Sequence, residues 1–104
     1  MKLYLIYITT KDKVEAEMIA SELLYEKLVA CTNIIANTRA MYYFEGKMQN
    51  EKEVLLMAKT KESLVDETIE KISSLHSYKC PCIMSFPVEK CNQKFIDFVI
   101  NNTK

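Results

Sequence analysis

Apolar positions along the chain switch between two periods. Residues 3–8, Leu-Tyr-Leu-Ile-Tyr-Ile, are apolar without interruption and stop at Thr9-Thr10, the pattern of a strand buried on both faces. From Asp12 the period changes. Ala16, Ile19, Ala20, Leu23 and Leu24 recur at i, i+3, i+4, i+7 and i+8, while Lys13, Glu17, Ser21 and Glu22 lie off that stripe. This predicts an amphipathic helix over Asp12–Val29. Asp12, followed three residues later by Glu15, has the form of a capping box with Asp in place of Ser or Thr.

Period two returns afterwards. Cys31–Phe44 is a long strand, bent near Asn37, and Lys47–Lys59 is a second one. Between them stand Glu45 and Gly46, the only glycine in the chain, and a tight hairpin needs a residue that accepts positive φ. In the second strand Val54, Leu56 and Ala58 face one way, and Leu55 and Met57 the other. Thr60 is placed to cap a helix over Lys61–Leu75, with Glu62 in its first turn and Val65, Ile69 and Ile72 on one side. Pro81–Val88 reads as a further extended segment carrying Ile83, Met84 and Phe86. Pro87 inside it predicts a sheet edge or a bulge. Asn92 is placed to cap a short last helix with Phe95 and Val99 inward. No repeat, low-complexity tract or linker interrupts the chain, so 1–104 reads as one domain.

The order strand, helix, strand, strand, helix, strand is that of a ferredoxin-like α+β unit, an antiparallel sheet with both crossover helices on one face. That leaves a difficulty. The first and third strands are apolar on both faces, and the helices cover one. The other face would be a large exposed apolar patch, and the simplest cover is another copy of the chain.

Composition narrows the function classes. The 104 residues are 49% hydrophobic and carry 14 basic and 14 acidic side chains, so the net charge draws the protein neither to nucleic acid nor to an anionic membrane. No stretch is long enough to span a bilayer. The N-terminal apolar run is short and runs into Lys11-Asp12-Lys13, unlike a signal peptide, so a cytoplasmic protein is expected. There the four cysteines, Cys31, Cys80, Cys82 and Cys91, are thiols. Neither a disulfide nor a metal is required for folding. There is one histidine, and no catalytic triad order, phosphate loop or H-E-x-x-H motif, so no enzyme activity is expected.

Several short blocks stand in a distinctive order. They are Cys31-Thr32-Asn33-Ile34, Tyr42-Tyr43-Phe44-Glu45-Gly46-Lys47, Glu53-Val54-Leu55-Leu56, Lys59-Thr60, His76-Ser77-Tyr78-Lys79-Cys80-Pro81 and Phe86-Pro87-Val88. Together they resemble the CutA family of divalent-cation tolerance proteins, from Thr9 to Val99. The resemblance implies a homotrimer whose long hairpins wrap around neighbouring subunits, a fold akin to PII-type signalling proteins, and an association with copper and other divalent metals. The sequence departs from the family pattern in places. Phe44 and Phe98 stand where Trp is usual, Ala40 where Ser is common, and Cys82 where Glu is usual.

Each candidate residue carries two readings. His76 is a metal or anion ligand between subunits, or a helix-end imidazole bonded locally. Cys31 is a thiolate ligand for Cu(I), or a small buried hydrophobe. Cys80 and Cys82 flank Pro81, with His76 four residues before Cys80. The two thiols with the nearby imidazole could hold Cu(I) or Zn²⁺, but these three donors would need a fourth ligand from elsewhere for a closed zinc site. Tyr42, Glu53, Lys59 and Tyr78 line an intersubunit pocket for a small anion or metabolite, or orient the hairpins by hydrogen bonds. Two functions follow: a homotrimeric copper or divalent-metal binding and tolerance protein, or a PII-like trimeric sensor or scaffold for a small metabolite or a protein partner.

Overall fold

The computed structural model describes residues 2–104. Strand β1 (Leu3–Thr10) leads to helix α1 (Lys13–Tyr25), then β2 (Cys31–Phe44) and β3 (Lys47–Lys61). A 3₁₀ turn (Glu62–Leu64) runs into α2 (Val65–Leu75), followed by β4 (Ile83–Val88) and α3 (Gln93–Asn101). The sheet order is β2-β3-β1-β4, and each neighbouring pair is antiparallel. This is the α+β ferredoxin-like arrangement expected from the segment order. Pro87 sits on the edge strand β4, where its missing N–H is tolerated.

Register divides the residues between two faces. Ile6 pairs with Ala58, Ile8 with Leu56 and Thr10 with Val54. These side chains are buried against Ala16, Ile19 and Leu23 of α1 and Val65 and Ile72 of α2. The core therefore lies between one sheet face and the two crossover helices. The opposite face carries Leu5, Tyr7, Leu55, Met57, Ile35, Met84 and Phe86, and no helix of that core covers it. Ile35, Met84 and Phe86 are each close to half exposed, at 44%, 44% and 45%. A continuous apolar surface of this kind is unusual on a chain that works alone.

The long hairpin has two local devices. Glu45 (φ 51) and Gly46 (φ 78) both have positive φ, as a two-residue type I′ turn demands, and Phe44 pairs with Lys47 across it. Between Ile35 and Thr38 the register slips by one residue, and Asn37 takes φ 64. Asn tolerates this left-handed bulge position. Because of the bulge, Cys31, Asn33 and Ile35 share the uncovered face with Thr38, Ala40, Tyr42 and Phe44.

Helix boundaries differ from the pattern in instructive ways. Helix α1 stops at Tyr25, because Lys27 adopts φ 57. The N–H of Leu28 then donates to the Leu23 carbonyl and that of Lys27 to the Leu24 carbonyl, which is a Schellman motif. Leu28 and Leu23, both fully buried, supply its apolar contact. Lys27→Gly should therefore raise stability by about 1 kcal/mol by removing the left-handed penalty. The urea midpoint should rise at constant m; an unchanged or lower midpoint would mean that the lysine side chain contributes more than its backbone costs. Thr60 does not cap α2. It is a buried β3 residue whose hydroxyl donates to the Leu28 carbonyl at 2.5 Å, and the helix begins five residues later. Strand β4 starts at Ile83, after Pro81. Asn92 does occupy the N-cap position of α3, but its side chain makes no capping hydrogen bond.

Candidate functional site

On the uncovered face, where the hairpin leaves the body of the sheet, lies a cleft of about 830 Å³. Its walls come from three elements. Strand β1 gives Tyr7 and Thr9, the hairpin gives Tyr42, Glu51 and Glu53, and the segment between α2 and β4 gives Tyr78, Lys79, Cys80 and Cys82.

The last segment is held by a buried polar chain. His76 follows the end of α2, and its N–H closes the final turn on the Ile72 carbonyl at 3.0 Å. Its side chain is fully buried. Nε2 lies 2.7 Å from the Thr9 carbonyl, which can only accept. Nε2 therefore carries the proton, and Nδ1 accepts the Tyr78 N–H at 3.1 Å. Both ring nitrogens are engaged, so ligating a metal through His76 would break one of these bonds. The imidazole also packs against the Tyr78 ring at 4.8 Å.

Glu15 supports the same segment from α1. One carboxylate oxygen takes the Ser77 N–H at 2.8 Å and the other the Lys11 N–H at 3.0 Å, while Asp12 caps the helix through the Glu15 N–H at 2.8 Å. Glu15 is only 5% exposed, and Nδ1 of His76 is 3.9 Å away. Burial alone would raise its pKa. The hydrogen bonds from Ser77 and Lys11 outweigh burial, and the carboxyl sits below its ordinary value. At the other end of the chain, the Tyr78 hydroxyl donates to Glu53 at 2.9 Å. Burial, then the hydrogen bond and charge of Glu53, push that phenol well above its ordinary pKa. Tyr42 is raised too, by desolvation first and then by the charge and hydrogen bond of Glu51.

Of the pocket residues proposed from sequence, Tyr42, Glu53 and Tyr78 share this cleft, and Lys59 does not. Lys59 lies six residues from Glu53 along β3, roughly 20 Å away, and its ammonium donates to Asn33. Of the metal candidates, Cys80 and Cys82 line the cleft, Cys80 exposed and Cys82 half-buried, both as free thiols. Cys31 pairs with Lys59 at the far end of β2. It is three strands across and four residues along from Cys82, on the order of 20 Å, so one chain does not bring it to the other candidates. Among the described residues, no three His, Cys, Asp or Glu side chains converge as a ready metal cage. The donors that fit a metal without rearrangement of the buried chain are the two cleft thiols. The structural role of Glu15 was not apparent from its place in a capping box, because the pattern cannot show that its second partner is Ser77, 62 residues away.

Comparison with known proteins agrees with the fold. The family model described as CutA1 divalent ion tolerance protein matches residues 4–102. The chain is 38% identical over 100 residues to the divalent-cation tolerance protein CutA of Pyrococcus horikoshii, covering 96% of this chain and 97% of that protein. It is 34% identical over 99 residues to the chloroplastic protein CutA 1 of Oryza sativa subsp. japonica, covering 95% of this chain but 56% of the rice protein. The chain thus spans little more than half the length of some relatives. The crystal structure of the divalent ion tolerance protein CutA1 from Ehrlichia chaffeensis superposes with a TM-score of 0.96 at 35% identity, covering 100% of this chain and 98% of that one.

Proposed function

This chain belongs to the CutA1 family of divalent ion tolerance proteins, and on that premise we propose that it is a homotrimeric, non-enzymatic metal-binding protein serving tolerance to divalent metals, copper among them. The observation that carries the reading is the uncovered apolar sheet face, with a cleft at its edge that holds thiol, carboxylate and phenol groups. A sheet whose second face needs cover is completed by copies of itself. Three copies put three such clefts beside subunit boundaries, where Cys31 and Lys59 of one chain can approach the Tyr42, Glu53 and Tyr78 of another. His76 acts from beneath, by holding Tyr78. The cytoplasm is the setting that suits four free thiols, and no helix among the described residues is long and apolar enough to cross a membrane.

Calorimetric titration of Zn²⁺ and Cu²⁺ into the reduced full chain tests the reading. It predicts stoichiometric uptake, weakened by about 10-fold or more in Cys31→Ser, His76→Ala or Cys80→Ser/Cys82→Ser. Wild-type affinity in all three variants would overturn this assignment of residues. Absence of any divalent-ion uptake would favour the second reading, a PII-like sensor or scaffold. The aromatic and carboxylate lining of the cleft supports that reading, and a thermal-shift screen of small metabolites and protein partners would address it.

A further inference from the structure

We propose that Cys80 and Cys82 form a two-thiolate seat for a soft cation of low coordination number, Cu(I) above all, so that the cleft prefers a monovalent soft ion over the divalent ions. The proposal rests on the metal-binding reading above and narrows it to one pair of atoms and one class of ion.

The donors come first. The thiols flank Pro81, and both line the same cleft. Two residues of extended chain set their Cα atoms at most ~7 Å apart. An ion held linearly needs its two sulfurs ~4.6 Å apart, twice the ~2.3 Å metal–thiolate distance found for zinc, a span that two side chains leaning toward each other can reach from that Cα separation. Pro81 fixes its own φ and disfavours helical backbone at Cys80, so less chain freedom is lost when the ion binds.

The neighbouring groups decide which ion fits. The His76 imidazole is spent on the Thr9 carbonyl and the Tyr78 N–H. Glu53 accepts from Tyr78. Zn²⁺ takes four ligands in a tetrahedron, and Mg²⁺ and Ca²⁺ take six or more oxygens. Two thiolates do not complete either shell, but they suffice for Cu(I), which soft sulfur ligands select. Binding exchanges protons for metal: one Cu(I) displaces the protons of two thiols, giving a bis-thiolate of net charge −1 and two protons released. Lys79 lines the same cleft beside Cys80 and offsets that charge. Tyr7 and Leu55 supply apolar wall on one side of the cleft.

The test is an anaerobic Cu(I) titration of the reduced full chain against a chromogenic Cu(I) chelator. One Cu(I) per chain is expected. Cys80→Ser and Cys82→Ser should each weaken binding at least about 100-fold, more than the loss of an outer-shell partner brings, and Cys31→Ser and Cys91→Ser should leave it unchanged. In the wild type, bound Cu(I) should protect Cys80 and Cys82 from alkylation while Cys91 still reacts, a readout that needs no variant. X-ray absorption should show two sulfur neighbours. Wild-type Cu(I) affinity in Cys80→Ser/Cys82→Ser, alkylation of Cys80 in the loaded protein, or displacement of Cu(I) by equimolar Zn²⁺ would each overturn the proposal. If Zn²⁺ and Cu²⁺ still bind stoichiometrically in that event, the metal-tolerance reading stands without this seat; if no metal binds, both fall.

Discussion

Met57→Glu is expected to break the assembly into single chains without unfolding them. Met57 lies at the middle of the uncovered face, between Tyr7 on β1 and Asn33 on β2. Its side chain points away from the core that Ile6, Ile19, Leu23, Leu56 and Ile72 fill on the other side. In a closed trimer every copy would have to bury an unpaired carboxylate, at an effective cost of several kcal/mol per ion. That weakens association by more than about 1,000-fold, enough to leave monomer at micromolar concentration. The isolated chain keeps its helix-side core, so its far-UV circular dichroism should be unchanged while its elution volume increases. An unaltered elution volume would show that the copies meet through some other surface.

Glu15→Ala should cost about 3 kcal/mol, through lost charge-assisted hydrogen bonds and buried N–H groups left without acceptors. The carboxylate serves Lys11 and Ser77 together, so its loss frees both the start of α1 and the segment that carries His76 and Tyr78. Tyr78 then loses its fixed approach to Glu53, and the cleft loosens along with the fold. The pH dependence has a definite sign. The folded pKa of Glu15 is lowered, so its contribution is fully present above the ordinary carboxylate pKa of about 4.3. It is lost as pH falls through the folded value. Urea midpoints between about pH 3 and 6 should show this acid slope in the wild type and a shallower one in Glu15→Gln. Equal slopes would mean that other carboxylates carry the acid sensitivity.

The apolar periodicities and the single Gly46 were enough to predict the segment order, the hairpin and a sheet face that the helices leave uncovered, because burial and positive φ leave marks on residue type. Other features left no such mark. Lys27 ends α1 in a conformation usually given to glycine, so no residue type marks a stop before Val29. Thr60 has the identity of a helix cap, yet tertiary packing uses its hydroxyl on Leu28, 32 residues away. The candidate site was legible as a set of residue types and not as an arrangement. The family blocks group Lys59 with Glu53 and Tyr78, and Cys31 with His76, across a subunit boundary; within one chain Lys59 and Cys31 pair with each other far from the cleft. His76 is offered as a ligand by its block, because a run of residues cannot show that Thr9 and Tyr78 occupy both ring nitrogens. The proximity of Cys80 and Cys82 was legible, since it needs no long-range contact.

The central claim is that the second sheet face is closed by copies of the same chain. Multi-angle light scattering on the wild-type protein at micromolar concentration measures this most directly. The account predicts three chains per particle across the concentration range; a stable particle of one chain would contradict it.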